Sequence, residues 1–155
     1  VNSHLHFDHC GCNCNVCNAC IIVQQPEWDW ATQAEPQGGY IKTDYDTGQE
    51  IKTINGEYDI FGDGSVVCFP SYGHTPGHQS LRVETEKGQY VLTGDACYVK
   101  RTLDEMALPG VMHNREQTIK SLEVFRQMQA NGATIIYGHD PDFWPTLKKA
   151  PNNLA

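Results

Sequence analysis

Residues 4 to 9 read His-Leu-His-Phe-Asp-His, and no other stretch of this chain limits its fold and chemistry so sharply. Three imidazoles and one carboxylate fall within six positions: His4, His6, Asp8 and His9. Imidazole nitrogen and carboxylate oxygen are the donors that bind zinc and related divalent cations. In an extended segment, alternation sets His4, His6 and Asp8 on one side, while His9 breaks the pattern and faces another way. One short stretch is therefore expected to feed two adjacent metal ions. A chance polar loop is a poor account, because three of the seven histidines in the chain lie here.

The 155 residues suffice for one domain with a core and are few for two. A net charge of −8 argues against a nucleic-acid partner, which needs a positive face. No apolar run has the length of a membrane span and no signal-peptide pattern is present, so the expectation is a cytoplasmic chain with no membrane partner. A ligand-bearing loop normally leaves the end of a buried strand, and none precedes His4. The expectation is one domain over residues 1–155, truncated at its N-terminal end.

Five of seven cysteines crowd into residues 10 to 20: Cys10, Cys12, Cys14, Cys17 and Cys20. The spacing Cys14-x-x-Cys17-x-x-Cys20 suits zinc or an iron–sulfur cluster. No second pair matches it elsewhere, which favours loop thiols, or replacements at positions that glycine and proline usually fill, over a dedicated thiolate site.

The apolar run in 18–24 predicts a buried strand. Pro26 predicts a helix start, continued over 27–34. Trp28 and Trp30 lie two apart, so a helix cannot aim both at one spot; one packing inward with the other lining a cleft is open, but both simply covering core is the favoured reading. Residues 35–46 read as an irregular loop or lid. A weak strand at 51–54, strands at 59–61 and 65–69 about Gly62-Asp63-Gly64, and a hairpin of 79–85 with 89–93 make the middle a β-meander. Asn114 predicts an N-cap with Gln117 in a capping box, and Ile119, Leu122, Phe125 and Met128, with Val124 beside them, form an apolar stripe closed by Gly132. Residues 133–137 predict a last strand, and 141–155 a loosely structured tail. Strands, a long helix and a strand again define a mixed α/β architecture.

Three further places carry candidate ligands at strand ends. Gly73-His74-Thr75-Pro76-Gly77-His78 turns between two strands, and either histidine qualifies. Leu92-Thr93-Gly94-Asp95 ends a strand on a carboxylate, whose two oxygens can each meet a cation. Ile135-Ile136-Tyr137-Gly138-His139-Asp140 ends the last strand on an imidazole. Each alone reads as an ordinary turn or loop; together with residues 4–9 they predict a metal centre.

From residue 2 to about 145 the pattern resembles the metallo-β-lactamase superfamily, which implies an α/β fold of the αβ/βα sandwich type with metals at one edge of the sheets. Ser3 to His9, the His74 loop running into Gln79-Ser80-Leu81, Asp95-Ala96-Cys97-Tyr98 and Tyr137-Gly138-His139-Asp140 look most like the N-acyl homoserine lactonases, the quorum-quenching lactonases. The resemblance implies two divalent metal ions, zinc with manganese, iron or cobalt as alternatives. His4, His6 and His74 would hold one, and Asp8, His9 and His139 the other, with Asp95 bridging and His78 a supporting residue. It also implies a small acyl-lactone substrate, opened by a hydroxide held between the metals. Tyr98 would stabilise the oxyanion, Asp8 would shuttle a proton, and a homodimer is compatible with the pattern.

Two features depart from that family: its first half is absent, and Cys12 follows Gly11 where paired glycines are usual. The main alternative is a glyoxalase II-like thioesterase with the same ligand set. Class B β-lactamases fit less well, several having cysteine where Asp95 stands, and flavodiiron proteins would carry glutamate at the position of His6. A metal-binding fragment without turnover is the reading from outside enzymology.

Overall fold

The computed structural model describes residues 1–33 and 38–148. Two sheets carry the chain. The smaller pairs β1 (Ile21–Gln24) in parallel with β2 (Ile51–Ile54). The larger runs β3 (Tyr58–Asp59), β4 (Val66–Pro70), β5 (Gln79–Thr85), β6 (Gly88–Leu92) and β7 (Thr134–Ile136) in that spatial order. Its first four strands form the antiparallel meander expected of residues 59–93, whereas 51–54, read as part of that meander, pairs with β1 in the other sheet; β7 joins β6 in parallel. Short helices α1 (Phe7–Cys10), α2 (Gln25–Ala31), α3 (Lys42–Tyr45) and α4 (Lys100–Glu105) and the long α5 (Arg115–Ala130) complete the α/β fold. Among the described residues no helix is long and apolar enough to cross a membrane.

The long helix starts as the sequence predicts, with the Asn114 side chain accepting from the Gln117 amide at 3.0 Å. Leu122 and Phe125 are fully buried against Phe69, Val91 and Ile135, while Val124 is exposed. Thr118 and Ser121 occupy the inward face beside them, and Ser121 donates to the Tyr72 carbonyl at 2.7 Å. The helix therefore docks partly through small hydroxyl residues, which lets the loop before His74 approach closely.

A second core gathers Leu5, Val23, Ala31, Tyr40 and Tyr45 under the small sheet. It explains one difference from expectation: residues 42–45 form a helical turn inside the stretch read as loop, because Tyr45 buries its ring and donates to the Ala31 carbonyl at 2.6 Å. Residues 34–37, the end of the expected helix and the start of that loop, lie outside the described residues. The tail also differs. Phe143 packs on Tyr137 with ring centroids 4.9 Å apart, and Trp144–Thr146 is a 3-10 turn; 149–155 lie outside the described residues.

Candidate metal centre

Four separate chain segments deliver the predicted donors to one edge of the sheets. The segment at 4–6 is extended, but the chain then coils: Phe7–Cys10 is helical, with the His9 and Cys10 amides donating to the His6 carbonyl. Strict alternation therefore ends at His6, and Asp8 turns with His9 instead of pointing with His4 and His6. The helical turn divides the motif between two clusters, one of His4, His6 and His74, the other of Asp8, His9, Asp95 and His139. Ligand-type atoms in each lie within 4.8 Å of one another.

In the first cluster His74 Nε2 stands 3.2 Å from His6 Nδ1, and in the second both His9 Nε2 and His139 Nε2 stand 3.0 Å from Asp95 Oδ1. Asp8 Oδ2 adds a carboxylate 3.5 Å from His9 Nε2 and 4.0 Å from His139 Nε2. The other oxygen of Asp95, Oδ2, faces the first cluster, 3.4 Å from His74 Nε2 and 3.9 Å from His4 Nε2. Parallel pairing of β6 with β7 brings the two strand ends together, and Gly138 and His139 continue it by donating to the Cys97 and Tyr98 carbonyls.

Electrostatics and hydrogen bonding both fit a cation here. Burial lowers the pKa of His4, helped by the neighbouring imidazoles, and burial likewise lowers those of His6 and His74. Neutral imidazoles are the metal-binding form. Burial by itself would raise Asp95, yet the imidazoles of His9, His74 and His139 hold its carboxyl at about 2. Of five buried side-chain polar atoms without a hydrogen-bond partner among the described residues, three point into this site: His4 Nε2, His9 Nε2 and Asp95 Oδ1. The approach of His9 to Asp95 is close but lies off the hydrogen-bonding direction. Each such orphan costs about 1–3 kcal/mol, which a bound cation would offset.

Around the donors lies a supporting layer that the sequence barely signals. His78 is completely buried, and its Nε2 accepts from the Asp95 amide at 3.1 Å. An amide only donates, so Nδ1 carries the ring proton and donates to Ser71 Oγ at 2.8 Å. Ser71 then donates to Ser80 Oγ at 2.7 Å, and Ser80 donates to the Thr93 carbonyl at 3.2 Å. Burial pushes the His78 pKa down to about 3, consistent with the single neutral tautomer. Tyr98 OH stands 3.1 Å from His74 Nδ1, and its ring lies between those of His74 and His139. Burial, then the Asp95 carboxylate, raises the Tyr98 pKa, so its phenol keeps its proton.

A cleft of about 270 Å³ opens beside His6 and His74, walled by Trp30, Tyr40, Pro76, Val111 and Met112. Trp28 packs on Tyr45 while Trp30 reaches the cleft and meets His113, so the favoured expectation that both rings simply cover core does not hold. His113 itself carries no sequence signal beyond being a histidine. Neither cluster contains a cysteine: Cys12, Cys14 and Cys17 are exposed and free, and Cys10, Cys68 and Cys97 are buried and free.

Comparison with known proteins agrees with this geometry. Residues 1–139 match the family model of the metallo-beta-lactamase superfamily, and the chain belongs to that superfamily. Within it, the chain is 41% identical over 160 residues to the N-acyl homoserine lactonase AttM of Azorhizobium caulinodans, and 37% identical over 142 residues to an N-acyl homoserine lactonase of a Bacillus species. Those alignments cover 97% and 90% of this chain but 61% and 54% of the relatives, so the chain spans a little over half of their length. A solved N-acyl homoserine lactone hydrolase, with N-hexanoyl-L-homoserine bound at its catalytic metal centre, superposes with a TM-score of 0.86 at 32% identity. The match covers 97% of this chain and 59% of that one.

Proposed function

We propose that this chain carries the dinuclear metal centre of a hydrolase that opens the lactone ring of N-acyl homoserine lactones. One observation carries the reading: the two oxygens of Asp95 face different clusters, Oδ1 toward His9 and His139 and Oδ2 toward His74 and His4. A carboxylate so placed could serve two cations, of which His4, His6 and His74 would hold one and Asp8, His9 and His139 the other. The all-nitrogen-and-oxygen donor set suits zinc, and also manganese, iron or cobalt. Divalent cations held there would supply a nucleophile derived from water at neutral pH and a Lewis acid for the ester carbonyl.

The chain's own residues do the rest. Protonated Tyr98 donates a hydrogen bond to the carbonyl oxygen as negative charge develops on it. Asp8, whose side chain is 42% exposed, stands at the solvent side of the second cluster and moves the proton. Water adds one oxygen to the carbonyl carbon, the bond from that carbon to the ring oxygen breaks, and the ring oxygen takes the proton moved by Asp8 and remains on the product as its hydroxyl. The apolar wall of Trp30, Pro76, Val111 and Met112 suits an acyl chain beside His6 and His74.

Metal analysis paired with a ring-opening assay on short- and long-chain acyl homoserine lactones tests the proposal, with a thioester and a cephalosporin assayed in parallel. Two cations per chain and preference for lactones are expected, and Asp95→Ala should lose both metal and turnover. Full activity in that variant, or faster turnover of the thioester, would overturn the reading.

A further inference from the structure

Glu27 is fully buried in the first turn of α2, in the middle of the second core, and forms no ion pair with a lysine or arginine among the described residues. An ionised carboxylate accepts about four hydrogen bonds and donates none. Four donors meet Glu27: the Leu5 amide at 3.0 Å and Tyr40 OH at 2.8 Å on Oε1, Thr75 Oγ at 2.6 Å and the Gly77 amide at 3.1 Å on Oε2. They come from different stretches of chain. Leu5 lies between His4 and His6, and Thr75 and Gly77 follow His74. Tyr40 packs its ring on that of His6, with centroids 4.7 Å apart.

The chain is shaped to this contact. At Gly77 an added Cβ would lie 2.1 Å from the Glu27 backbone nitrogen, so the His74 loop reaches the helix only because the side chain is missing. The second cluster, though His9 is tied to the first segment by its amide on the His6 carbonyl, has anchors of its own that Glu27 does not touch. The His9 carbonyl accepts from Asn2 Nδ2 at 3.0 Å, the Asp95 amide donates to His78, and the His139 amide donates to the Tyr98 carbonyl.

From this division we infer that Glu27 is a positioning residue for one cation only: its carboxylate fixes the spacing of His4 and His6 from His74, and so sets the affinity of the three-imidazole site without setting that of the site containing Asp8, His9 and His139. The inference rests on the dinuclear reading above. Glu27→Gln keeps the shape but turns one oxygen into an NH2 group that faces hydrogen-bond donors. Loss of an outer partner of this kind typically costs roughly 10- to 100-fold in metal affinity.

The test is zinc titration of the wild-type and Glu27→Gln chains, with affinities read by chelator competition and occupancy read from the histidine ring nitrogens by NMR. Circular dichroism of the metal-free proteins controls for folding. In the variant, the rings of His4, His6 and His74 should need roughly 10- to 100-fold more zinc to show their bound shifts, while His9 and His139 respond as in wild type. Equal weakening of both sites in a folded variant, or two cations held as tightly as before, overturns the inference. If Glu27→Gln does not fold, Tyr40→Phe and Thr75→Val each remove one donor and keep the carboxylate. They should weaken the same three-imidazole site, and unchanged affinity in both overturns the inference. A wild-type chain that holds fewer than two cations refutes the dinuclear reading instead, an outcome distinct from two tight cations in both proteins.

Discussion

Replacing Gly138 by alanine should separate the two strand ends that bring Asp95 to His139. An added Cβ there would lie 2.5 Å from the Gly94 carbonyl oxygen and 2.9 Å from its carbon, both backbone atoms that cannot swing aside. Ordinary contact begins near 3.4 Å, so the Gly94 carbonyl must retreat by about 0.9 Å. Gly138 is not among the residues with positive φ, so the substitution adds crowding without backbone strain. Gly94 directly precedes Asp95, whose Oδ1 is 3.0 Å from His139 Nε2. Metal–ligand distances tolerate only about 0.2 Å, and the forced shift is several times larger. Overpacking typically costs about 1–3 kcal/mol. Charged to cation binding, that is roughly 5- to 150-fold in affinity. Chelator competition on the loaded protein measures it, and urea unfolding of the metal-free protein measures how much crowding the fold absorbs unaided. Wild-type cation affinity in Gly138→Ala would refute the claim that the β6–β7 junction sets the spacing of Asp95 and His139.

Other outcomes follow from the same geometry. Thiol titration of the folded chain should find Cys12, Cys14 and Cys17 reactive and Cys10, Cys68 and Cys97 silent until unfolding, because burial pushes the Cys10 and Cys97 thiols up to about 12; fast labelling of Cys97 would contradict its place in the core. Asn114→Ala should lower stability by about 1 kcal/mol, seen as a lower melting temperature with cation binding unchanged. Burial lowers the pKa of His4, His6, His74 and His78 in the folded chain, so below 6.5 the unfolded state binds more protons; the stability of metal-free protein should fall as pH drops from 7 toward 5, with His9, raised by Asp95, opposing in part. Urea midpoints that stay flat over that range would contradict this sign. Ser71→Ala should leave the His78 ring proton without an acceptor and cost about 1–3 kcal/mol of stability, measured by urea unfolding.

The candidate donors are legible in the sequence because ligand chemistry leaves few choices of side chain and because His74, Asp95 and His139 each follow an apolar run that is a strand. The meander before His74 and Asp95 is legible in the same way. What stayed hidden was support. An acid in the first turn of a helix is ordinary, so nothing in the sequence marks Glu27; only the folded chain shows Leu5, Tyr40, Thr75 and Gly77 converging on it. Ser71 and Ser80 carry no pattern at all. The 3.6-residue coil at Phe7–Cys10 was also missed, because four residues are too few to show a period, and that coil is what sends Asp8 and His9 to a different cluster from His4 and His6. Thr118 and Ser121 share the inner face of the long helix with the predicted apolar stripe, and the stripe gave no sign of them: close approach of backbones, at Gly73 against Thr118, rewards size over hydrophobicity.

The hydrogen-bond circuit through His78 leaves Thr93 and returns to its near neighbour Asp95, with every donor and acceptor fixed in one direction. Its effect is a division of labour within a single residue. Asp95 is anchored by its amide, from behind, so neither carboxylate oxygen is spent on holding the residue still. A side chain that must answer to two neighbours at once is kept uncommitted by a backbone that is fully committed.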